Sequence, residues 1–272
     1  GGTLAGYVTE NTDTTVTAVA SNGSQTNIED IASGAIQLGF VQSDVMSYAY
    51  QGTRLFEESV TNFSTVAALY MEQVQIVTLN PDIKTVADLE GKTVSIGASG
   101  SGVYFNALDV LGAYGLTEED INPQYQDFAT SVDSLKDGKI DAAFIVAGAP
   151  TTAVVDLASG NDIYLVSLDQ EHIDALIETS PYYSAYTITS DVYGTPEDCT
   201  TVAIAAVVIA GNDVSEDAVY DFVSTIFNNK GSLGHAKEAE LDLEFATSIS
   251  DVPYHPGAAR YFEEQGITVP TA

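Results

Sequence analysis

A glycine- and serine-rich segment of the sequence has the residue types and spacing expected of an anion-binding loop. The segment is Gly97-Ala-Ser-Gly-Ser-Gly102; it follows the apolar run 93–96 and precedes the apolar, helix-like run 103–108. A strand that turns into a helix leaves backbone N–H groups without partners at the helix start, where the helix dipole favours negative charge. The segment is therefore a candidate site for an anionic group.

Three familiar loop motifs each fail at the residue that would perform their chemistry. A P-loop requires Lys and then Ser or Thr, where this chain has Val103 and Tyr104. A dinucleotide-binding turn requires a small residue in place of Phe105, and a nucleophile elbow requires glycine in place of Ser101. A glycine-rich turn that holds no ligand is the remaining alternative.

The composition excludes one class of partner. The chain has 272 residues, of which 45% are hydrophobic, enough for the core of one large domain or of two lobes. It carries 39 Asp and Glu against 8 Lys and Arg, a formal charge of −31. A surface with so little positive charge cannot displace the counterions of a phosphate backbone, so nucleic acid is not expected as a partner. The acidic residues are scattered, which predicts a solvated surface.

The residues that usually hold metals are few and badly spaced for that purpose. Cys199 is the one cysteine, which allows neither an internal disulfide nor a cysteine-based zinc site, and it is expected to be a small buried residue. The three histidines, His172, His235 and His255, share no metal-binding spacing, and the acidic residues show no EF-hand pattern. We therefore expect no metal and no cofactor.

Two stretches of the chain follow one plan. Residues 15–40 and 124–144 each combine an alternating strand, a Ser/Thr-rich turn, a short amphipathic helix, a glycine where the helix ends (Gly34 and Gly138) and a strand that ends in Phe. A polar or glycine-rich turn and a helix pattern follow each copy. The repetition predicts two α/β lobes.

Two apolar strands, at 71–79 and 201–210, are predicted to carry the chain from one lobe to the other and back. Lobe I would comprise residues 1–78 and 198–272, and lobe II residues 79–197. In open α/β sheets, ligands bind beyond the carboxyl ends of the strands. The loops after the strands are therefore expected to line a ligand cleft between the lobes. The predicted binding residues of these loops are Gln42, Ser43, Asp44, Tyr48, Ala98, Ser99, Gly100, Ser101, Gly102, Val103, Ala147, Gly148, Ala149 and Pro150.

Some of these side chains have a structural alternative. Asp44 could accept a ligand ammonium group or cap the helix predicted at 45–50. Tyr48 and Tyr50 could line the ligand or pack in the core. Arg260, one of two arginines, is expected to form a structural ion pair in its acidic surroundings.

Several runs of the chain, in order, resemble a family of receptors. These runs are Leu38-Gly-Phe-Val-Gln-Ser-Asp-Val45 with Tyr48 and Tyr50, Gly91-Lys-Thr-Val-Ser-Ile-Gly-Ala-Ser-Gly-Ser-Gly102, Leu135-Lys-Asp-Gly-Lys-Ile-Asp-Ala-Ala-Phe144 and His255-Pro-Gly-Ala-Ala-Arg-Tyr261. They are similar to the extracytoplasmic solute receptors of TRAP transporters, in the TAXI branch. The resemblance implies a two-lobed periplasmic-binding-protein fold, type II-like, that closes on a small carboxylate such as a glutamate- or glutamine-like amino acid or an organic acid.

The same resemblance implies a location and a partner. The protein would be a monomer in the periplasm or tethered to the outer face of the cell membrane, and it would deliver its ligand to a membrane-embedded TRAP transporter subunit. Receptors of this kind begin with a strand and a turn leading into a Tyr-Pro-x-Gly-Gly helix start. Here Gly1 and Gly2 correspond to that glycine pair and are expected to contact the ligand, and the N-terminus is expected to be truncated.

Two other functions are compatible with parts of the sequence. A ligand-sensing domain can share the same fold, because fold does not determine function. A serine hydrolase could use Ser99 or Ser101, but it would need a histidine within hydrogen-bond reach, and none of the three histidines lies in the predicted cleft loops. We therefore predict a binding protein that is not an enzyme, with loop 97–102 holding a carboxylate rather than a phosphate.

Overall fold

The computed structural model describes residues 1–272, which form a mixed α/β protein. The strands are β1 (Leu38–Gln42), β2 (Phe63–Thr78), β3 (Thr93–Ser95), β4 (Asn122–Gln124), β5 (Ala142–Ala147), β6 (Tyr164–Leu165), β7 (Ser184–Ile188) and β8 (Cys199–Gly211). The helices are α1 (Gly2–Asn11), α2 (Ser24–Ala32), α3 (Ser43–Gln51), α4 (Gly102–Ala113), α5 (Phe128–Lys136), α6 (Thr152–Ala158), α7 (Gln170–Thr179), α8 (Glu216–Asn228), α9 (Leu243–Ala246) and α10 (Pro256–Glu264). None of the helices combines the length and the apolar character needed to cross a membrane.

The chain forms two compact units. Unit 1 contains residues 1–70 and 205–272, and unit 2 contains residues 71–204. Strands β2 and β8 each contribute residues to both units. The predicted boundaries, after residues 78 and 197, lie at the end of β2 and just before β8, whereas the unit boundaries fall inside both strands.

Unit 1 is built on the antiparallel pair β1 and β8, in which Leu38 lies opposite Ala210 and Gln42 opposite Ala206. Helices α8 and α10 supply much of its core, where Phe222 and Phe262 are buried together with Leu69 of β2. Gly257, at the start of α10, is packed directly against the backbone of α8.

The predicted strand at the start of the first repeat is wrong. Residues 12–20 form neither strand nor helix, although half-buried Val16 packs against the core of unit 1. The N–H of Val16 donates to the Thr9 hydroxyl at 2.8 Å rather than to a neighbouring strand. An alternating pattern produces a strand only where another strand supplies hydrogen bonds, and this segment has no such neighbour.

Unit 2 is built around β5. Strand β5 pairs antiparallel with β2 and parallel with β3, and β3 pairs parallel with β4. Strand β6 pairs antiparallel with β2, and strand β7 pairs antiparallel with β8. Phe144 packs in one hydrophobic cluster and Ile145 in another, so both faces of β5 are buried. This explains its continuous apolar sequence, since a strand covered on both faces does not alternate.

Most other predicted elements are confirmed. Strand β3 turns through the glycine-rich segment into α4, and the two repeat helices are α2 and α5. Gly34 and Gly138, just after these helices, have φ of 78° and 65°, the left-handed conformation expected where a helix ends. The strand of the second repeat lies earlier than predicted: β4 ends at Gln124, where the predicted repeat begins, and residues 125–127 are not in a strand.

Replacing Gly257 with Ala should destabilise unit 1. A Cβ atom there would lie 2.2 Å from the Glu216 carbonyl oxygen and 2.9 Å from the Tyr220 nitrogen, both backbone atoms that cannot move alone. We expect the free energy of unfolding in urea to fall by about 1–3 kcal/mol, the usual cost of overpacking.

The matched control is Gly6→Ala in α1, where a Cβ atom would meet nothing within 4 Å. That change should leave stability equal or higher by about 0.5–1 kcal/mol, because Ala is the better helix former. A Gly257→Ala protein as stable as the wild type would contradict the close helix approach.

Candidate functional site

The carboxyl ends of three parallel strands meet at one edge of the sheet in unit 2. Strand β3 runs parallel to both β5 and β4, with Ser95 opposite Ala143 on one side and Gln124 on the other. The segments that leave this edge are residues 96–101, 125–127 and 148–151. The first and third of these segments were predicted from sequence as binding loops, and the second was missed. The missed signal was Asp127, the N-cap of α5. Its side chain accepts from the backbone N–H of Thr130, three residues later, as an N-cap side chain usually does.

The loop after β3 is held in a tight turn that requires glycine at two positions. The N–H of Ile96 donates to the Gln124 carbonyl at 2.9 Å, and the N–H of Ser101 donates to the Ala98 carbonyl at 3.0 Å. Gly97 and Gly100 have φ of 91° and 80°. A Cβ atom on Gly97 would lie 2.6 Å from Cβ of Val103, so the loop is packed closely against the start of α4.

This loop presents hydrogen-bond donors at a helix N-terminus. Helix α4 has 12 residues, and its N-cap Ser101 makes no capping bond with its side chain. The N–H groups of Ser99, Gly100 and Gly102 have no acceptor within the protein. Ser101 is 6% exposed, and its hydroxyl is buried without a partner. Free N–H groups at the positive end of a helix dipole are the arrangement that binds an anion.

The loop after β5 has a different character. The N–H of Ala149 donates to Gln73 Oε1 at 2.7 Å, and the N–H of Thr151 donates to the Tyr193 hydroxyl at 2.7 Å. Gln75 completes the network, because its amide donates to the Ala147 carbonyl at 3.1 Å and its Oε1 accepts from Tyr193 at 2.6 Å. Two donors of this loop are therefore used inside the protein, and the loop is a fixed wall rather than an anion cradle.

The residues that fix this wall were also missed from sequence. Gln73 and Gln75 are buried and alternate with the apolar residues Val74 and Ile76, and buried polar side chains are nearly always hydrogen-bonded. That contrast was the available signal. Burial raises the pKa of Tyr193, so its hydroxyl stays protonated and donates to Gln75.

A pair of tyrosines joins the start of α4 to the segment after β4. Tyr104 donates to Glu118 Oε2 at 3.0 Å, and Tyr125 donates to the other oxygen of the same carboxylate. The two ring centroids are 6.1 Å apart. The hydrogen bond to Glu118 raises the pKa of Tyr125 to about 12, while burial is the main cause of the raised pKa of Tyr104. This contact keeps the segments after β3 and β4 side by side.

In unit 1, the predicted residues lie at the junction of β1 and α3. Gln42 is the N-cap of α3, and its N–H donates to the hydroxyl of Ser24, the first residue of α2, at 3.1 Å. Ser43 begins α3, so the alternative role of Asp44 as the N-cap is wrong. Asp44 is fully buried, and its Oδ1 accepts from the N–H of Val45 at 2.7 Å.

The two tyrosines of α3 have different surroundings. Tyr48 is half-buried, with the guanidinium carbon of Arg54 5.2 Å from its ring centroid. Tyr50 packs edge-on against Phe63 at 5.8 Å, as expected of a core aromatic.

Unit 1 also contains a cavity of about 120 Å³. Leu4, Phe40, Tyr70 and Lys237 are among its lining residues, and of the predicted binding residues Gly1 alone lines it. Gly2 is the first residue of α1. Gln42, Ser43, Asp44 and Tyr48 do not line this cavity.

The titratable residues outside the loops have structural roles. His172 lies 2.7 Å from Asp169 at the start of α7, and His255 is a buried N-cap of α10. Burial raises the pKa of the Cys199 thiol to about 11, which makes it unreactive. Arg260 contacts Glu216 and Asp217 at 3.0 Å each, which confirms the expected ion pair. No group of three or more His, Cys, Asp or Glu side chains is placed to hold a metal ion.

Tyr193→Phe should loosen the wall formed by the loop after β5. The change leaves the N–H of Thr151 and the Oε1 of Gln75 without their partner, so we expect a loss of about 1–3 kcal/mol in the free energy of unfolding. Tyr186→Phe is the control, because Tyr186 is 40% exposed. Equal stability of the two variants in a urea titration would show that the network does not support the loop.

Comparison with solved structures identifies the fold. The chain is similar to the alkanesulfonate-binding protein SsuA of Xanthomonas axonopodis pv. citri bound to MOPS, with 15% identity, a TM-score of 0.51, and coverage of 96% of this chain and 78% of that one. It is also similar to the amino acid ABC transporter substrate-binding protein AbpA of Streptococcus pneumoniae bound to L-arginine, with 15% identity, a TM-score of 0.51, and coverage of 88% and 79%. A protein of Bordetella bronchiseptica RB50 aligns at 16% identity with a TM-score of 0.56, covering 88% and 70%.

The fold is therefore that of the two-lobed periplasmic binding proteins of type II, and the two named neighbours are binding proteins, not enzymes. Residues 1–266 match the model of the NMT1-like family. The chain belongs to the NMT1-like family.

Proposed function

We propose that this protein is an extracytoplasmic solute-binding receptor that captures a small carboxylate and delivers it to a membrane transporter. The ligand would be a glutamate- or glutamine-like amino acid or an organic acid. The observation that carries the proposal is the loop after β3, where the N–H groups of Ser99, Gly100 and Gly102 and the Ser101 hydroxyl have no partner in the protein.

The chemistry of this loop favours a carboxylate over a phosphate. The loop contains no Lys or Arg, and the chain has only 8 cationic side chains in total. A hydrogen bond to a charged group contributes about 1.5–3 kcal/mol, so three N–H donors supply a contribution of the size that micromolar binding requires, about −8 kcal/mol. A phosphate dianion is usually neutralised by a cation as well, and the loop offers none.

We further propose that Gln42, Ser43 and Asp44 at the start of α3 contribute ligand contacts. The loops at 97–103 and 147–151 would contribute others. The Asp44 carboxylate would accept a hydrogen bond from a ligand ammonium group.

Two kinds of membrane transporter are candidates to receive the ligand. The sequence motifs support a TRAP membrane subunit, whereas AbpA is a substrate-binding protein of an ABC transporter. Uptake of the ligand into membrane vesicles that contain the partner transporter separates these possibilities. Uptake that follows a sodium gradient would support a TRAP partner, and uptake that requires ATP hydrolysis would exclude it.

Gly100→Val should abolish ligand binding while the fold is retained. Gly100 has a φ of 80°, which a β-branched residue adopts only with strain, so the turn that orients the N–H groups would be lost. Thermal unfolding with a panel of amino acids and dicarboxylates measures this. A ligand at a hundredfold over its dissociation constant stabilises the native state by about 2.7 kcal/mol.

Gly115→Val is the matched control for this variant. Gly115 has a φ of 73°, has open space around it and follows the opposite end of α4. Both variants should lose stability through backbone strain, but only Gly100→Val should lose the ligand-induced shift. A normal shift in Gly100→Val would refute the role of the loop. The wild-type shift should also survive EDTA, because no metal site takes part.

Ligand binding should also compact the molecule. If the two units close on the ligand, the radius of gyration from small-angle X-ray scattering should fall when the ligand found in the panel is added at saturation. A radius that stays constant with a ligand that demonstrably binds would show a preformed pocket and no closure.

A further inference from the structure

We propose that Gln126 determines ligand specificity by accepting a hydrogen bond from an ammonium or hydroxyl group beside the acid group of the ligand. The substrate class would then be 2-amino or 2-hydroxy acids rather than plain carboxylic acids. The inference rests on the proposed function, since it concerns the same site, but neither the motifs of the sequence nor the comparisons assign Gln126 a role.

The register of the sheet places Gln126 beside the anion-binding loop. Ser95 lies opposite Gln124, and the N–H of Ile96 donates to the Gln124 carbonyl at 2.9 Å. Gln126 lies two residues beyond the end of β4 and Gly97 two residues beyond the end of β3, so both follow strand ends at the same edge of the sheet. Adjacent strands are about 4.8 Å apart, so groups leaving these two strand ends are within reach of one small ligand.

Two buried side-chain oxygens in this region have no partner. They are the Oε1 atom of Gln126 and the hydroxyl of Ser101, and the latter would lie 2.8 Å from a Cβ atom on Gly97. A buried polar atom without a partner is rare in native proteins, and those that persist are usually completed by a water or a ligand. The two atoms differ in hydrogen-bonding capacity, because a hydroxyl can donate or accept a hydrogen bond whereas an amide oxygen only accepts one.

The free groups of the site therefore require two different hydrogen-bonding groups, an acceptor and a donor, on one ligand. The N–H groups of Ser99, Gly100 and Gly102 require an acceptor, which a carboxylate supplies. The Gln126 oxygen requires a donor, which a carboxylate cannot supply because it has no hydrogen. An amino acid or a hydroxy acid carries both on adjoining carbons. A plain acid would leave the Gln126 oxygen buried and unpaired, which lowers its affinity.

The test uses triads of acids that differ only at the second carbon. Suitable triads are glutamate, 2-hydroxyglutarate and glutarate; alanine, lactate and propionate; and phenylalanine, phenyllactate and phenylpropionate. Dissociation constants are measured by titration calorimetry for every acid that shifts the thermal unfolding of the wild type. The 2-amino or the 2-hydroxy acid should bind on the order of tenfold to a hundredfold more tightly than the plain acid of its triad.

Three variants assign this preference to Gln126. Gln126→Met removes the acceptor at similar volume and should weaken the substituted acid until it binds about as well as the plain acid, whose own affinity should not fall. Gln126→Glu restores an acceptor and should restore the preference for the 2-amino acid. Gln124→Met, two residues earlier at the end of β4, is the matched control. The Gln124 amide donates to the adjacent Pro123 carbonyl at 2.9 Å, and this variant should retain the wild-type ratio.

The possible failures are distinguishable. If no acid of any triad binds the wild type, the proposed function is contradicted and this inference with it. If plain acids bind as tightly as their substituted partners, or if Gln126→Met weakens all members of a triad equally, the receptor function stands and the role of Gln126 is refuted.

Discussion

The parallel alignment of β3 between β5 and β4 is the constraint on which the candidate site depends. It brings three chain segments to one sheet edge: the loop at 97–101 and the segment at 125–127 leave the sheet side by side, and the loop at 148–151 leaves β5 four residues beyond Ala143, which lies opposite the end of β3. Burial of both faces of β5 makes this alignment rigid. A shift of the register by one residue would turn every side chain of β3 to the opposite face, which the two clusters around β5 would not accommodate.

The charge of the protein constrains how it can hold an anion. With 39 acidic and 8 basic residues, cationic side chains are scarce, and several of them are engaged with carboxylates. Arg260 contacts Glu216 and Asp217, and Lys139 contacts Asp137. Backbone N–H groups are the donors that remain. Backbone N–H groups can bind an anion only if the backbone turns them toward it. The left-handed conformations of Gly97 and Gly100 provide such a turn, so these glycines do what a lysine would do in a less acidic protein.

Local sequence patterns predicted the helices, strands and turns of this structure better than they predicted contacts between segments that are distant in sequence. The glycine-rich turn between β3 and α4 and the helix ends at Gly34 and Gly138 follow from backbone preferences of single residues, and these predictions were correct. The strand expected at residues 15–20 failed because a strand needs a neighbour, which no local pattern shows. Gln73, Gln75 and Gln126 were missed for the same reason. Their roles depend on contacts with, or placement beside, segments far away in sequence.

Two loops that look alike in sequence therefore differ in what they can do. Segments 97–102 and 147–150 are both short and rich in small residues, and the sequence analysis treated them alike. In the structure, side chains from β2 and Tyr193 satisfy the second loop, whereas the first keeps its donors open and has an unpaired hydroxyl beneath it. Unpaired polar groups reduce the stability of the free protein, and a protein retains them where a ligand completes them. The groups that lack a hydrogen-bond partner, rather than the glycine-rich motif around them, therefore indicate the chemistry of the ligand. It must carry an acceptor for the N–H groups of the loop and a donor for Gln126.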